Sequence, residues 1–208
     1  MFEETFSLRQ VYVPLRAYTL EQVEGDEPSQ GRRKRRCRIF MLEDESNGWL
    51  KQGPKAGDAI HLLTGGPGSG NSTFAKWLAA ELSEKHRMRV LFIPLQRFSI
   101  QASLKDAIAT YLTETKRFQQ SPLAQDGFAS AADPLLLIFD GLDELTKPGD
   151  LADEQTKMFI EELRHHLGLW NEGGVKVLAL ITGRTVYAQA KRPCSALPTA
   201  RRLRYCRI

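Results

Sequence analysis

Cysteine is scarce in this 208-residue chain. Cys37, Cys194 and Cys206 are far apart and odd in number. Such a set builds no disulfide framework, offers no zinc-like spacing, and fits a reducing, intracellular compartment. No apolar stretch approaches the roughly 20 residues that cross a bilayer. Met1 to Arg9 carries Glu3 and Glu4 and has no apolar centre, which excludes a secretory signal. A cytoplasmic protein without membrane association is expected. Internal repeats are also missing. The remaining composition, 42% hydrophobic and 26% charged, is that of an ordinary globular chain, long enough to bury one good core.

The net charge of +4 is small but unevenly spread. Residues 21–38 are first acidic (Glu21, Glu24, Asp26, Glu27) and then basic, with Gly31 to Arg38 reading GRRKRRCR. Gly25, Pro28 and Gly31 mark this stretch as a loop. A basic run can serve as a nucleic-acid or acidic-partner patch. No aromatic platform or base-reading motif accompanies it, which favours a solvated loop. The expected division is an N-terminal extension over residues 1–54, with the charged loop at 21–38, and a main domain over 55–208. Within the extension, residues 8–18 read as extended and 39–51 as a short helix or strand.

From residue 59 onward, short apolar runs alternate with helical periodicity. Strands are expected at 59–64, 90–95, 135–140 and 175–181, with a fifth beginning near Leu203. Helices are expected at 72–86, with Phe74, Trp77, Leu78 and Leu82 on one face, at 104–115, and at 151–167, ending near Gly168. Several strands are nearly continuous apolar runs, so both of their faces are covered. This predicts a three-layer α/β fold with a mostly parallel sheet between helices. Ligands of such folds bind at the carboxyl ends of the strands, which here means just after residues 64, 140 and 181.

After the first of these strands comes Gly65-Gly66-Pro67-Gly68-Ser69-Gly70-Asn71-Ser72-Thr73, running into a helix. The phosphate-loop pattern is G-x-x-x-x-G-K-S/T, and only position 71 departs from it. Glycines let successive N–H groups curl inward as an anion nest, and the helix adds its own N–H groups and positive dipole end. Ser72 is the expected magnesium ligand, and Thr73 is placed to donate to a phosphate oxygen. The third strand ends Asp140-Gly141-Leu142-Asp143-Glu144. Asp140 is positioned to hold magnesium. Glu144, and second to it Asp143, could orient or deprotonate an attacking water. The fourth strand ends Ile181-Thr182-Gly183-Arg184, where Arg184 could sense a triphosphate and Thr182 could position water.

Together, GGPGSGNST at 65–73, LLLIFDGLDEL at 135–145 and LALITGR at 178–184 resemble the NACHT family, within the STAND class of P-loop NTPases. VYVPLR at 11–16 is similar to the lead-in of bacterial members. The resemblance implies a switch that binds ATP or GTP with magnesium and rearranges. It also implies partners: an effector domain, a sensor array, or further copies of the chain in a homo-oligomer. Bacterial members are implicated in defence. Members usually continue into a winged-helix region and a repeat array, so a fragment is expected.

The family has lysine where this chain has Asn71. Lysine places a positive charge on the β- and γ-phosphates, whereas asparagine is shorter and neutral. Losing one transition-state stabiliser of this kind costs on the order of 3 kcal/mol, or about 10²-fold in rate. Weak or absent hydrolysis is therefore expected, with ground-state binding less affected. The intact magnesium and acid motifs favour a recent or deliberate replacement over a naturally degenerate switch. Two other classes remain open at this point: an ATPase motor or chaperone of another P-loop class, and a nucleic-acid-binding module using the basic run at 32–38.

Overall fold

A computed structural model describes residues 8–22, 35–54, 58–85, 88–98, 103–116, 134–145, 151–174, 176–184 and 201–205. In chain order the elements are α1 (Leu8–Val11), β1 (Arg16–Gln22), β2 (Arg35–Met41), α2 (Leu42–Gln52), β3 (Ile60–Gly65), α3 (Asn71–Glu84), β4 (Arg89–Pro94), α4 (Leu104–Lys116), β5 (Leu135–Asp140), α5 (Leu151–Glu172), β6 (Val177–Arg184) and β7 (Arg201–Tyr205). Single 3₁₀ turns follow β4 and β5, at Leu95–Arg97 and Leu142–Glu144.

The strands form one sheet in the order β2-β1-β7-β3-β6-β5-β4. From β7 to β4 all neighbours are parallel, while β1 runs antiparallel to both β2 and β7. Side chains alternate across the sheet, as strand geometry requires. Leu135, Leu137 and Phe139 face a core built with α4 and α5, including Ile108, Leu112, Phe159 and Leu163. Leu136 and Ile138 face the opposite core, built with α2 and α3, including Trp49, Phe74 and Leu78. Helices thus cover both faces of a mostly parallel sheet, the three-layer α/β arrangement expected from the apolar strands.

The order places β6 between β3 and β5. The chain leaves β3 through α3 for the far edge at β4, then returns strand by strand to β6. On its other side β3 pairs with β7. The carboxyl ends of β3, β6 and β5 therefore lie side by side on one edge. The ends of β3 and β5 are two strand spacings apart, about 10 Å.

Several boundaries differ from the sequence reading. Residues 8–18 are not uniformly extended, because a helical turn at 8–11 precedes β1. The stretch at 39–51 is the end of a strand followed directly by a helix. The charged loop is shorter than 21–38: Glu21 and Gln22 close β1, and Arg35 to Arg38 open β2, a charged edge strand of the kind that discourages edge-to-edge pairing. Residues 23–34 lie outside the described residues. α5 runs through Gly168, where an added Cβ would meet nothing within 4 Å. The helix stops instead at Gly173 and Gly174, the latter at φ +84°, the left-handed terminator that glycine favours. Asn171 then bonds both backbone groups of Val177, its Nδ2 donating to the carbonyl at 3.0 Å and its Oδ1 accepting from the N–H at 2.8 Å.

Candidate nucleotide-binding site

The bend after β3 is shaped by its glycines. Gly68 and Gly70 have φ of +72° and +96°, a backbone that residues with a Cβ rarely adopt. At Gly65 the constraint is space: an added Cβ would lie 2.2 Å from Ser69 Oγ and 2.8 Å from Ser69 Cβ. Ser69 N–H donates back to the Gly66 carbonyl (3.1 Å), closing the bend. The Phe74 N–H bonds the Gly70 carbonyl at 2.8 Å, starting α3. Ser69 is buried, whereas Gly66, Pro67, Gly68, Ser72 and Thr73 are exposed. The rim of the bend and the first turn of α3 thus face outward. Phe74, Ala75, Leu78 and Leu82 anchor the helix on its other side.

Asn71 does not point outward. Its Nδ2 donates to the Gly183 carbonyl at the end of β6 (3.0 Å). Among the described residues, its Oδ1 is buried without a hydrogen-bond partner. The first residue of α3 therefore ties the phosphate loop to the neighbouring strand.

At the end of β5, Asp140 is 9% exposed and accepts a hydrogen bond from Thr182 Oγ1 across the β5–β6 pair. Gly141 turns the chain at φ +88°. Its N–H reaches the Thr182 carbonyl at 3.2 Å. Asp143 is also engaged: Oδ1 accepts from the Arg184 N–H (3.0 Å) and Oδ2 from Arg184 Nε (2.9 Å). Glu144 is exposed, with its carboxylate folded toward Gly141. Gly183 permits this packing, since a Cβ there would come within 2.9 Å of Leu142 Cβ.

All three sequence stations therefore meet on one sheet edge: Gly65 to Thr73, Asp140 to Glu144, and Thr182 to Arg184. Thr182 is spent on Asp140 and Asp143 on Arg184. The donor set suits a phosphorylated ligand and magnesium, since the exposed rim of the bend, Gly66 to Gly68, and the exposed Ser72 and Thr73 stand on the same sheet edge as Asp140. Asp140 and Ser72 are oxygen donors of the kind magnesium takes beside phosphate and water. Two contacts were missed by sequence reasoning. Gly183 bridges the loop to the acidic turn, and only its smallness beside Arg184 hinted at close packing. Leu15 lies against the loop, its Cδ1 3.1 Å from where a Cβ on Gly70 would be. Leu15 is held by Glu43, which accepts from both the Leu15 N–H (3.0 Å) and the Tyr12 hydroxyl, and Tyr12 stacks on Trp77 of α3 with ring centres 4.6 Å apart.

Arg38 pairs with both oxygens of Glu45, at 2.9 and 3.1 Å, and lies over the Phe40 ring. Residues 32–34 of the basic run lie outside the described residues. No helix among those described is long and apolar enough to cross a membrane.

A family model for the NACHT domain matches residues 59–186, a span that contains all three stations. No curated protein matches the sequence. Among solved structures, AMPPCP-bound DnaA from Aquifex aeolicus aligns at 17% identity and a TM-score of 0.41, covering 73% of this chain and 39% of that one. A chain of the HORMA:CdnC:Trip13 complex from E. coli MS115-1 aligns at 12% identity and 0.42, covering 80% and 57%. PCH-2 from C. elegans aligns at 18% identity and 0.33, covering 70% and 35%. The chain thus spans from about a third to little more than half of the length of these structures.

Proposed function

Because this chain belongs to the NACHT family of P-loop NTPases, we propose that it is the nucleotide-holding switch domain of a STAND-type signalling protein. It takes ATP in preference to GTP, together with magnesium, and hydrolyses it slowly or not at all. The observation that carries this reading is the placement of the glycine bend on the same sheet edge as Asp140, with only β6 between them.

The chemistry follows from the residues. Backbone N–H groups of Gly68 and of Gly70 to Ser72, at the amino end of α3, attract the phosphate tail. Ser72 and Asp140 are the metal-holding residues. Magnesium supplies charge neutralisation on the β- and γ-oxygens when bound. Since Asp143 is committed to Arg184, Glu144 is the carboxylate left to orient water. Asn71 brings no charge, and its donor group faces Gly183, so transition-state stabilisation is weak while the nest remains. A domain of this kind acts in the cytoplasm through attached effector and sensor regions or further copies of itself, and a role in bacterial defence fits the reading.

The test is turnover of MgATP and MgGTP by the chain and by Asn71→Lys. The lysine variant is expected to hydrolyse on the order of 10²-fold faster, the usual size of one such electrostatic stabiliser. Absence of turnover by Asn71→Lys with either nucleotide contradicts the reading of a competent NTPase scaffold.

A further inference from the structure

Residues 12–15, reading YVPL, link α1 to β1 without regular structure of their own. Tyr12 and Leu15 are half-buried, while Val13 and Pro14 between them are exposed. Pro14 fixes its own φ and holds Val13 extended, so the link is stiff. Leu15 is bonded through both backbone groups to the start of α2. Its N–H donates to Glu43 Oε1 at 3.0 Å, and its carbonyl accepts from the Leu42 N–H at 2.9 Å. The Tyr12 hydroxyl donates to the same Glu43 oxygen. The Tyr12 ring lies flat on Trp77 of α3, with planes 8° from parallel. Trp77 in turn meets the fully buried Phe74 at 6.0 Å between ring centres. The link is therefore anchored on α2 and pressed against α3.

Its far end touches the phosphate loop. Leu15 Cδ1 lies 3.1 Å from where a Cβ on Gly70 would be. Gly70 precedes α3 in the left-handed conformation, at φ +96°. A glycine leaves that conformation at little steric cost, yet an anion nest works only while its N–H groups stay aimed inward. We propose that residues 12–15 are a strap that holds the phosphate loop in its anion-binding shape. Leu15 is the positioning residue for Gly70, and Tyr12 fastens the strap to α3. This rests on the proposed nucleotide site and adds to it an element outside the three stations. The strap restricts Gly70 before a ligand arrives, so less ordering remains to oppose binding. The coupling is reciprocal: what the strap does for the anion, the anion does for the strap. A bound triphosphate tightens residues 12–15, and a partner that displaces α1 or the strap loosens the loop.

The test is titration of the intact chain and its variants with MgATP. Leu15→Ala is expected to weaken binding about tenfold, the size of leaving one more backbone residue to be ordered. Leu15→Met keeps the volume against Gly70 and should stay within about threefold of the parent. Ile108→Val, in the core on the opposite face of the sheet, controls for stability alone and should leave affinity within about twofold. Hydrogen exchange needs no variant: exchange of the Leu15 amide through local opening of the strap should slow about tenfold when MgATP saturates the chain. Affinity unchanged in Leu15→Ala, or lost equally in Ile108→Val, overturns the strap while leaving the nucleotide site intact. Leu15 exchange indifferent to MgATP does the same. If neither the parent chain nor Asn71→Lys binds MgATP, the underlying site reading falls with the inference.

Discussion

The turns at 65–71 and 140–144 start alike. Each follows a fully buried strand, and each passes through a left-handed glycine before a helical segment, Gly70 at φ +96° and Gly141 at φ +88°. They finish differently. The first opens into a helix of 14 residues and leaves Ser72 and Thr73 exposed. The second closes within one 3₁₀ turn, and its polar groups are bonded to β6: Asp140 to Thr182, Gly141 to Thr182, Asp143 to Arg184. On the proposed reading, the first turn is the one that receives an anion from outside. The other is organised by the protein itself, with the Asp140 and Asp143 carboxylates held by β6.

Substitutions can break or sharpen this contrast. The largest effect is expected at Gly65→Val, where the branched side chain meets Ser69. Nucleotide binding should be abolished, and stability should fall by about 1–3 kcal/mol from overpacking, read by titration and denaturant melts. Gly183→Ala drives a Cβ to 2.9 Å from Leu142 Cβ. It should cost about 1–3 kcal/mol as well, but act on the acidic turn, so that turnover in an Asn71→Lys background falls more than binding does. Gly141→Ala should cost about 1–2 kcal/mol from its left-handed backbone. Its nearest neighbour is only the flexible Glu144 side chain, and Gly141→Asn should recover part of the loss. Thr182→Val, which removes the donor to Asp140, should be smallest at about 1 kcal/mol. Equal losses of binding and turnover at Gly183 would show that the two turns are not separate devices.

Much of this was legible in the chain itself. The apolar strands, the glycine spacing and the acids after Phe139 have local causes, so the strands, the sheet layers and the edge that carries the site could be read directly. What could not be read depends on contacts made across the sheet. That Asn71 reaches Gly183, that Thr182 serves Asp140, and that Asp143 is committed to Arg184 are consequences of β6 lying between β3 and β5, an order no local pattern encodes. The same holds for the charged stretch near Arg36. Composition marks it as a loop, while pairing with β1 draws its second half into an edge strand. Gly168 shows the reverse, a turn residue overridden by the helix around it, whose flanking Leu163 and Leu167 are buried.

The most direct measurement is equilibrium titration of MgATP into the chain and into Gly65→Ala. The account predicts saturable binding to the parent chain and loss of it in the variant, with the variant still folding cooperatively. Binding that survives the added methyl unchanged would place the anion somewhere other than the bend after β3, and would contradict the account at its centre.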